Sequence, residues 1–328
     1  MKIDEFACDE SGAERICAVT GADRLTPAEA RRLRPDLSLA ATGPSGDTAC
    51  ASVWWRDVPA LPGHRVGVVG HYAAADVESG ATLLATACDV LRVQGATLAV
   101  GPMDANTWHR YRLVTWRSDD PPFLLEPDNP DSWDSHFECA GFLPLAGYHS
   151  ACCDELALLS LDAAKAEQLE GDGFRIRTLD RSRIDADLHA LWAAACDAFA
   201  GNLLYTPVTE EEFRSLYAKA IRSVPPQMVT IAEHAGHIAG FLFAYPDSLQ
   251  TARGERVDTV VLKTLGVVAA EKRRGIGRWL FDRGIAAARD GGFRRGIFAL
   301  IHDDNPSARL GGDRRRLIRR YTLYGRPL

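Results

Sequence analysis

The sequence predicts an α/β fold built as two successive halves, and three observations predict it. The chain has 328 residues, 46% hydrophobic and 25% charged, an ordinary globular composition long enough for two cores. Arg65 to Val100 reads as strand, helix, strand, a βαβ unit. From Phe174 to His302 the periodicities run strand, two helices, three strands, helix, strand.

Composition excludes several classes of function. A net charge of −6 argues against a broad nucleic-acid surface. The eight cysteines are scattered without a C-x-x-C pair, which suits free thiols better than a disulfide framework or a zinc site, so no metal is expected. The opening MKIDEFACDE is acidic and lacks an apolar core, unlike a secretory leader, and no apolar run reaches membrane-spanning length. A cytoplasmic protein without a membrane or nucleic-acid partner is the expectation.

Residues 1–62 carry weak signals. Pro27 to Arg34 reads as a short helix capped by Thr26, and Ala49 to Arg56 as a strand in which Trp54 or Trp55 must turn inward. Arg65 to Tyr72 is a clearer strand. Asp76 to Val93 is a helix, with Leu84, Cys88 and Leu91 on one face and Gly95 ending it; Ala96 to Val100 is the next strand. Residues 101–112, GPMDANTWHRYR, crowd polar and aromatic side chains into a turn, and Trp108, His109 and Tyr111 are candidate substrate contacts there. The proline-rich residues 117–135 form an irregular loop, Trp133 to Ala140 a short helix, and Leu145 to Leu161 a strand.

Ala163 to Gly173 reads as the linker between halves. Phe174 to Leu179 alternates as a half-buried strand. Arg183 to Gly201 is a helix, and a capping box at Thr209 and Glu212 opens another. Met228 to Glu233 and Ile238 to Tyr245 make a hairpin. Thr259 to Val268 is a β-branched strand, Arg278 to Arg289 a helix stopped by Gly291, and Arg295 to His302 the following strand. Between the last helix and the strand before it stands Lys272-Arg273-Arg274-Gly275-Ile276-Gly277. Two glycines let the backbone approach a ligand, the helix start favours an anion, and three cations deepen that preference. It has the makings of a phosphate cradle. Neither the Walker spacing nor a dinucleotide fingerprint fits, since Leu280 stands where a third glycine belongs.

Leu265-x-Val267 followed by K-R-R-G-I-G resembles the acetyl-CoA loop of the GCN5-related N-acetyltransferases (GNAT), usually [QR]-x-x-G-x-[GA], with Lys272 at its first position. The element order of the second half also resembles that fold over about 150 residues. The first half resembles a degenerate copy, with VGVVGHYAAAD where the loop would be and no glycines or cations to hold a pyrophosphate; Gly-Pro-Met followed by Asn106 resembles a motif of some tandem members. The resemblance implies two tandem GNAT folds, each a mixed, splayed sheet flanked by helices: residues 1–162 without a cofactor loop, a linker at 163–173, and residues 174–328 with acetyl-CoA as acyl donor.

It further implies roles. The pantetheine would pair along Leu265, Gly266 and Val267, the pyrophosphate would take N–H groups following Lys272, from Arg273, Arg274, Gly275, Ile276, Gly277 and Arg278, and a main-chain N–H near Val267 would polarise the thioester. Asn305 would contact the pantetheine. A neutral amine would attack directly, with no acyl-enzyme. The position of the usual glutamate base is Val261, so Asp258, Glu233 and His302 are the candidate bases; the usual acid position is Gly312, leaving Tyr321 or Tyr324 to protonate the thiolate. The arginine run 314–320 reads as a solvated face or a contact with the adenosine 3′-phosphate. Two functions follow: an N-acetyltransferase for a small-molecule or peptide amine, or a silent acyl-CoA-binding sensor.

Overall fold

Capping residues set most of the helix starts. Asp9, Thr26, Asp76 and Thr209 each accept a backbone N–H two or three residues into the helix they precede. The computed structural model describes residues 2–21, 23–44 and 46–328, and of these every side chain except those at 218, 219 and 222. The first half comprises β1 (Lys2–Phe6), α1 (Glu10–Thr20), α2 (Pro27–Arg32), β2 (Leu37–Gly43), β3 (Gly46–Trp54), β4 (Val66–Ala74), α3 (Val77–Val93), β5 (Leu98–Gly101), β6 (Leu113–Arg117), α4 (Trp133–Cys139) and β7 (Leu143–Cys153). The second comprises α5 (Ala163–Gly171), β8 (Arg175–Thr178), α6 (Ile184–Phe199), α7 (Glu210–Ser223), β9 (Val229–His234), β10 (His237–Pro246), α8 (Leu249–Ala252), β11 (Thr259–Val267), α9 (Ile276–Asp290), β12 (Arg295–His302) and β13 (Arg316–Pro327).

These strands join one mixed sheet, ordered β1-β2-β3-β4-β5-β13-β7-β12-β11-β10-β9-β8, with β6 added alongside β13. Each half therefore contributes a strand to the other. β13, from the chain's end, lies antiparallel between β5 and β7, while β7 from the first half pairs with β12 of the second. The boundary at 163–173 follows chain order but does not divide the sheet. Around it, α6 and α7 cover the face of the second half carrying Phe241, Phe243 and Tyr245; α9 covers the opposite face, where Leu242 lies against Gly284.

Four local expectations change. The run Leu156 to Leu161 is not strand: β7 ends at Cys153, a 3₁₀ turn follows at Leu156–Leu158, and the carbonyls of Leu156 and Leu159 accept from Arg289. Most of the expected linker is helical, because the Asp162 carboxylate caps α5 at Lys165 N–H. Glu212 does not complete a capping box: Thr209 caps α7, but the Glu212 carboxylate turns to His109 Nε2 at 2.9 Å. The arginine run is only partly a solvated face. Arg316 bridges Asp120 and Asp154, and Arg319, 1% exposed, lies 2.9 Å from the buried Glu126 carboxylate. An inward-facing position on a central strand leaves Arg319 no route to water, so a buried counter-ion is required. Among the described residues, no helix is long and apolar enough to cross a membrane.

Candidate active site

The site begins where β11 and β12 part. β10 pairs with β11 from Pro246 opposite Val260 to Gly240 opposite Val267. On its other side, β11 pairs with β12 in parallel only from Thr259 to Leu262. Two irregularities lie at the fork. Lys263 is the extra residue of a bulge in the β10–β11 ladder, and the β12–β7 register shifts between Phe298 and Ile301, with Leu300 at φ +60° and its N–H donated to Ser150 Oγ at 2.9 Å. Beyond the fork, β11 backbone faces an opening. Val268 N–H bonds Ala239 carbonyl at 3.0 Å, so strand alternation turns Val267 N–H the other way, toward the opening.

At the end of that strand the chain turns into α9. Arg273 (φ +67°) and Gly275 (φ +94°) are left-handed, which swings the loop back over the helix start. The first bond of α9 is Trp279 N–H to Gly275 carbonyl, and no side chain caps it, so the N–H groups of Ile276, Gly277 and Arg278 have no intrahelical acceptor. The loop cations have several tasks. Lys272 reaches the Ala198 carbonyl, Arg274 pairs with Glu271 and lies over the Phe174 ring, and Arg278 pairs with Asp282. Lys165, from α5, lies so close that a Cβ on Gly275 would sit 2.2 Å from its Cε. It adds a fifth cation to this corner. The matching corner of the first half is built oppositely: β4 runs almost directly into α3, and the Asp76 carboxylate occupies the helix start by accepting from Ser79 N–H at 2.8 Å. An anion there would meet a carboxylate already in place.

A cavity of about 730 Å³ passes through the opening. Phe199 and Tyr217 line it from one face of the sheet, Leu242 and Phe281 from the other. Residues 107–112 of the first half form its far wall. Trp108 is held there by a 2.8 Å bond from Nε1 to Thr206 carbonyl and edge contacts with Phe199 and Phe213; His109 is held by Glu212. The three candidate substrate contacts, Trp108, His109 and Tyr111, all line this cavity, as do Leu265, Asn305 and His302. Asn305 Oδ1 accepts from Ser307 N–H, leaving its amide donors uncommitted.

The acid–base candidates separate. Asp258 is at the start of β11, away from the opening, where bonds from Gln250, Thr259 and Arg294 hold its carboxyl below the usual range. Glu233 is paired with Arg177 on β9, outside the cavity lining. Tyr321 is buried and hydrogen-bonded to Glu126 and Ser150, and burial pushes its pKa well above the usual 10. All three lie outside the cavity lining and are taken up by these partners. His302 remains at the cavity, edge-on to Tyr148, with Nδ1 accepting Asp304 N–H at 3.1 Å. That bond puts the neutral ring's proton on Nε2, which makes His302 a donor rather than a base.

The sequence reading missed Lys263. Its side chain lines the cavity at the fork, makes no ion pair among the described residues, and is lowered by burial and by nearby Arg112 to a pKa of about 8. The available signal was a lysine inside the otherwise apolar run TVVLKTLGVV. Arg112, on the same wall, was also passed over within the polar loop.

Residues 189–310 match the acetyltransferase (GNAT) family. Over 188 residues, 56% of this chain, the sequence is 30% identical to a bacterial ceramide synthase of Caulobacter vibrioides. The match covers 49% of that relative, so it spans about half of its length. A GCN5-related N-acetyltransferase from Sphaerobacter thermophilus superposes with a TM-score of 0.52 at 16% identity, covering 99% of this chain and 95% of the other. A tandem GNAT protein from the clavulanic acid biosynthesis pathway superposes with a TM-score of 0.50 at 13% identity, covering 99% and 98%. The splayed strands, the glycine loop at the helix start and these matches lead to one conclusion: residues 189–310 carry an acetyltransferase (GNAT) family domain, and the chain as a whole has the fold of tandem GNAT proteins.

Proposed function

We propose that the chain transfers an acyl group from a coenzyme A thioester to an amine by direct attack, with the second half holding the donor and residues 107–112 forming the acceptor wall. The observation that carries this reading is the cavity running through the β11–β12 opening, with unbonded N–H groups of α9 at the end of β11. The pyrophosphate takes the N–H groups of residues 273–278, and the pantetheine pairs with β11 beyond the fork. Val267 N–H faces the thioester carbonyl. Lys263, neutral in a substantial fraction near its pKa of about 8, takes the ammonium proton. The amine attacks, the C–N bond forms and the C–S bond breaks. His302 Nε2–H donates a hydrogen bond to the leaving thiolate, which takes up the proton that the amide nitrogen loses. Asp258 and Tyr321 have no part in this scheme.

Acetyl-CoA is the donor that the loop implies. The Caulobacter relative is named for ceramide, itself an amide, and the apolar wall at Leu242, Phe281 and Phe298 suits longer chains as well, so chain length is an experimental variable. A cytoplasmic location fits a coenzyme A donor and eight free cysteines. Titration calorimetry with coenzyme A and acyl-CoAs of increasing length, followed by a thiol-release screen across amines, tests the proposal. Binding with turnover supports it, and binding without turnover leaves only the sensor. If a Gly275→Glu, Gly277→Glu double variant binds coenzyme A as tightly as the parent, the cradle assignment is lost.

A further inference from the structure

Arg112 closes the loop of residues 102–112, its N–H bonded to Pro102 carbonyl at 2.9 Å and its backbone at φ +69°. The residue is only 6% exposed, yet it lines the cavity. Its guanidinium sits in the corner of a T-shaped ring pair, 4.1 Å from the Tyr111 centroid and 4.2 Å from that of Tyr148. The two rings are themselves 5.7 Å apart and nearly perpendicular, so they hold the cation by their π-faces and give its N–H donors no carbonyl or carboxylate acceptor. Among the described residues Nε and Nη1 are buried without a hydrogen-bond partner. The charge close by is Lys263, another cation without a counter-ion among the described residues. Two unpaired cations on one cavity wall repel each other and forgo part of their solvation, a cost that a single anion between them would offset.

We infer that Arg112 is the binding point for an oxyanion, a carboxylate or phosphate, carried by the amine acceptor. The acceptor is then an amino acid, an amino phosphate or a larger molecule presenting one of these groups beside its amine. The inference rests on the acyl-transfer reading above. It assigns the anion to the acceptor because Arg112 belongs to the wall supplied by the first half, whereas the donor's cradle belongs to the second. Tyr111 and Tyr148 are positioning residues that hold the guanidinium at the cavity wall, and bidentate pairing would fix the amine's orientation.

The test compares amines that differ by one group: L-serine and O-phosphoethanolamine against ethanolamine, and L-leucine against 3-methylbutylamine. Thiol release is measured with acetyl-CoA and with succinyl-CoA. The parent is expected to prefer the anionic member of a pair in kcat/KM by about tenfold to a hundredfold, the effect of one charged hydrogen-bonded contact. Arg112→Gln should abolish the preference, chiefly through KM, and Arg112→Lys should restore part of it; thermal melts of both variants confirm folding. If Arg112→Gln does not fold, the ratio in Arg112→Lys must still fall. An unchanged ratio in a folded, active variant overturns the inference alone. A loss confined to succinyl-CoA moves the anion to the donor and overturns the acceptor assignment. Absence of turnover with every donor and amine overturns the acyl-transfer reading on which it rests.

Discussion

Replacing Lys263 with methionine should make the protein more stable and less active at once. The lysine's pKa falls from 10.5 to about 8 on folding. A drop of about 2.5 at about 1.36 kcal/mol per pH unit is roughly 3 kcal/mol against the charged form. Solvent at the cavity mouth screens part of this for a half-buried group, so about 1–3 kcal/mol is the expected gain for Lys263→Met at pH 7. The sign follows from proton binding. Below pH 8 both states of the parent are charged at this position and the whole penalty is present. Between pH 8 and 10.5 the unfolded chain binds more protons than the folded one, so the parent gains stability as pH rises and the gap to the variant closes. Urea midpoints of the two proteins at pH 7 and pH 10 measure the gap. Activity should move the other way, falling about 10²–10⁴-fold as the ionisation near pH 8 disappears from the kcat profile. A stability gap that does not change with pH, or a variant less stable at pH 7, would refute the argument.

The two loop glycines should respond differently to alanine. Gly275 is left-handed and a Cβ there meets Lys165, so Gly275→Ala should cost about 1–2 kcal/mol and weaken coenzyme A binding by calorimetry; at Gly277 the nearest atoms stand at 3.7 Å or beyond, and Gly277→Ala should bind almost as the parent does. Arg319→Met strands the buried Glu126 carboxylate and should lower stability by about 3–5 kcal/mol in urea titrations, while adding Glu126→Leu should recover much of the loss. Asp120, gripped by Arg316 and Arg295, has its carboxyl held well below the usual range; its contribution is present above about pH 4 and lost as pH falls through the depressed value, so Asp120→Asn should flatten part of the parent's acid melting curve.

Where the chain's own neighbours decide the geometry, the sequence was readable. Caps and breakers adjacent in the chain marked α2, α3 and α9, and the β-branched run marked β11, because these signals act within a few residues. Leu156 to Leu161 misled because an apolar run reads the same whether it pairs in a sheet or packs beneath Arg289. Asp258, Glu233 and Tyr321 were plausible acid–base groups by strand position. Their partners, Gln250, Arg177 and Glu126, lie from eight to 195 residues away along the chain and hold them outside the cavity lining.

By itself the sequence determined the cationic glycine turn that opens α9, since glycines, cations and a helix start within Lys272 to Arg278 carry their backbone geometry and charge locally. Only the tertiary structure decided what faces that turn. The exchange of β7 and β13 binds the halves into one sheet, and Trp108 docks against α6 and α7; together these bring Arg112, Lys263 and His302 to the wall of one cavity. No local pattern encodes a cavity whose walls are 40 to 190 residues apart, because burial, charge repulsion and proton affinity depend on which surfaces meet in space.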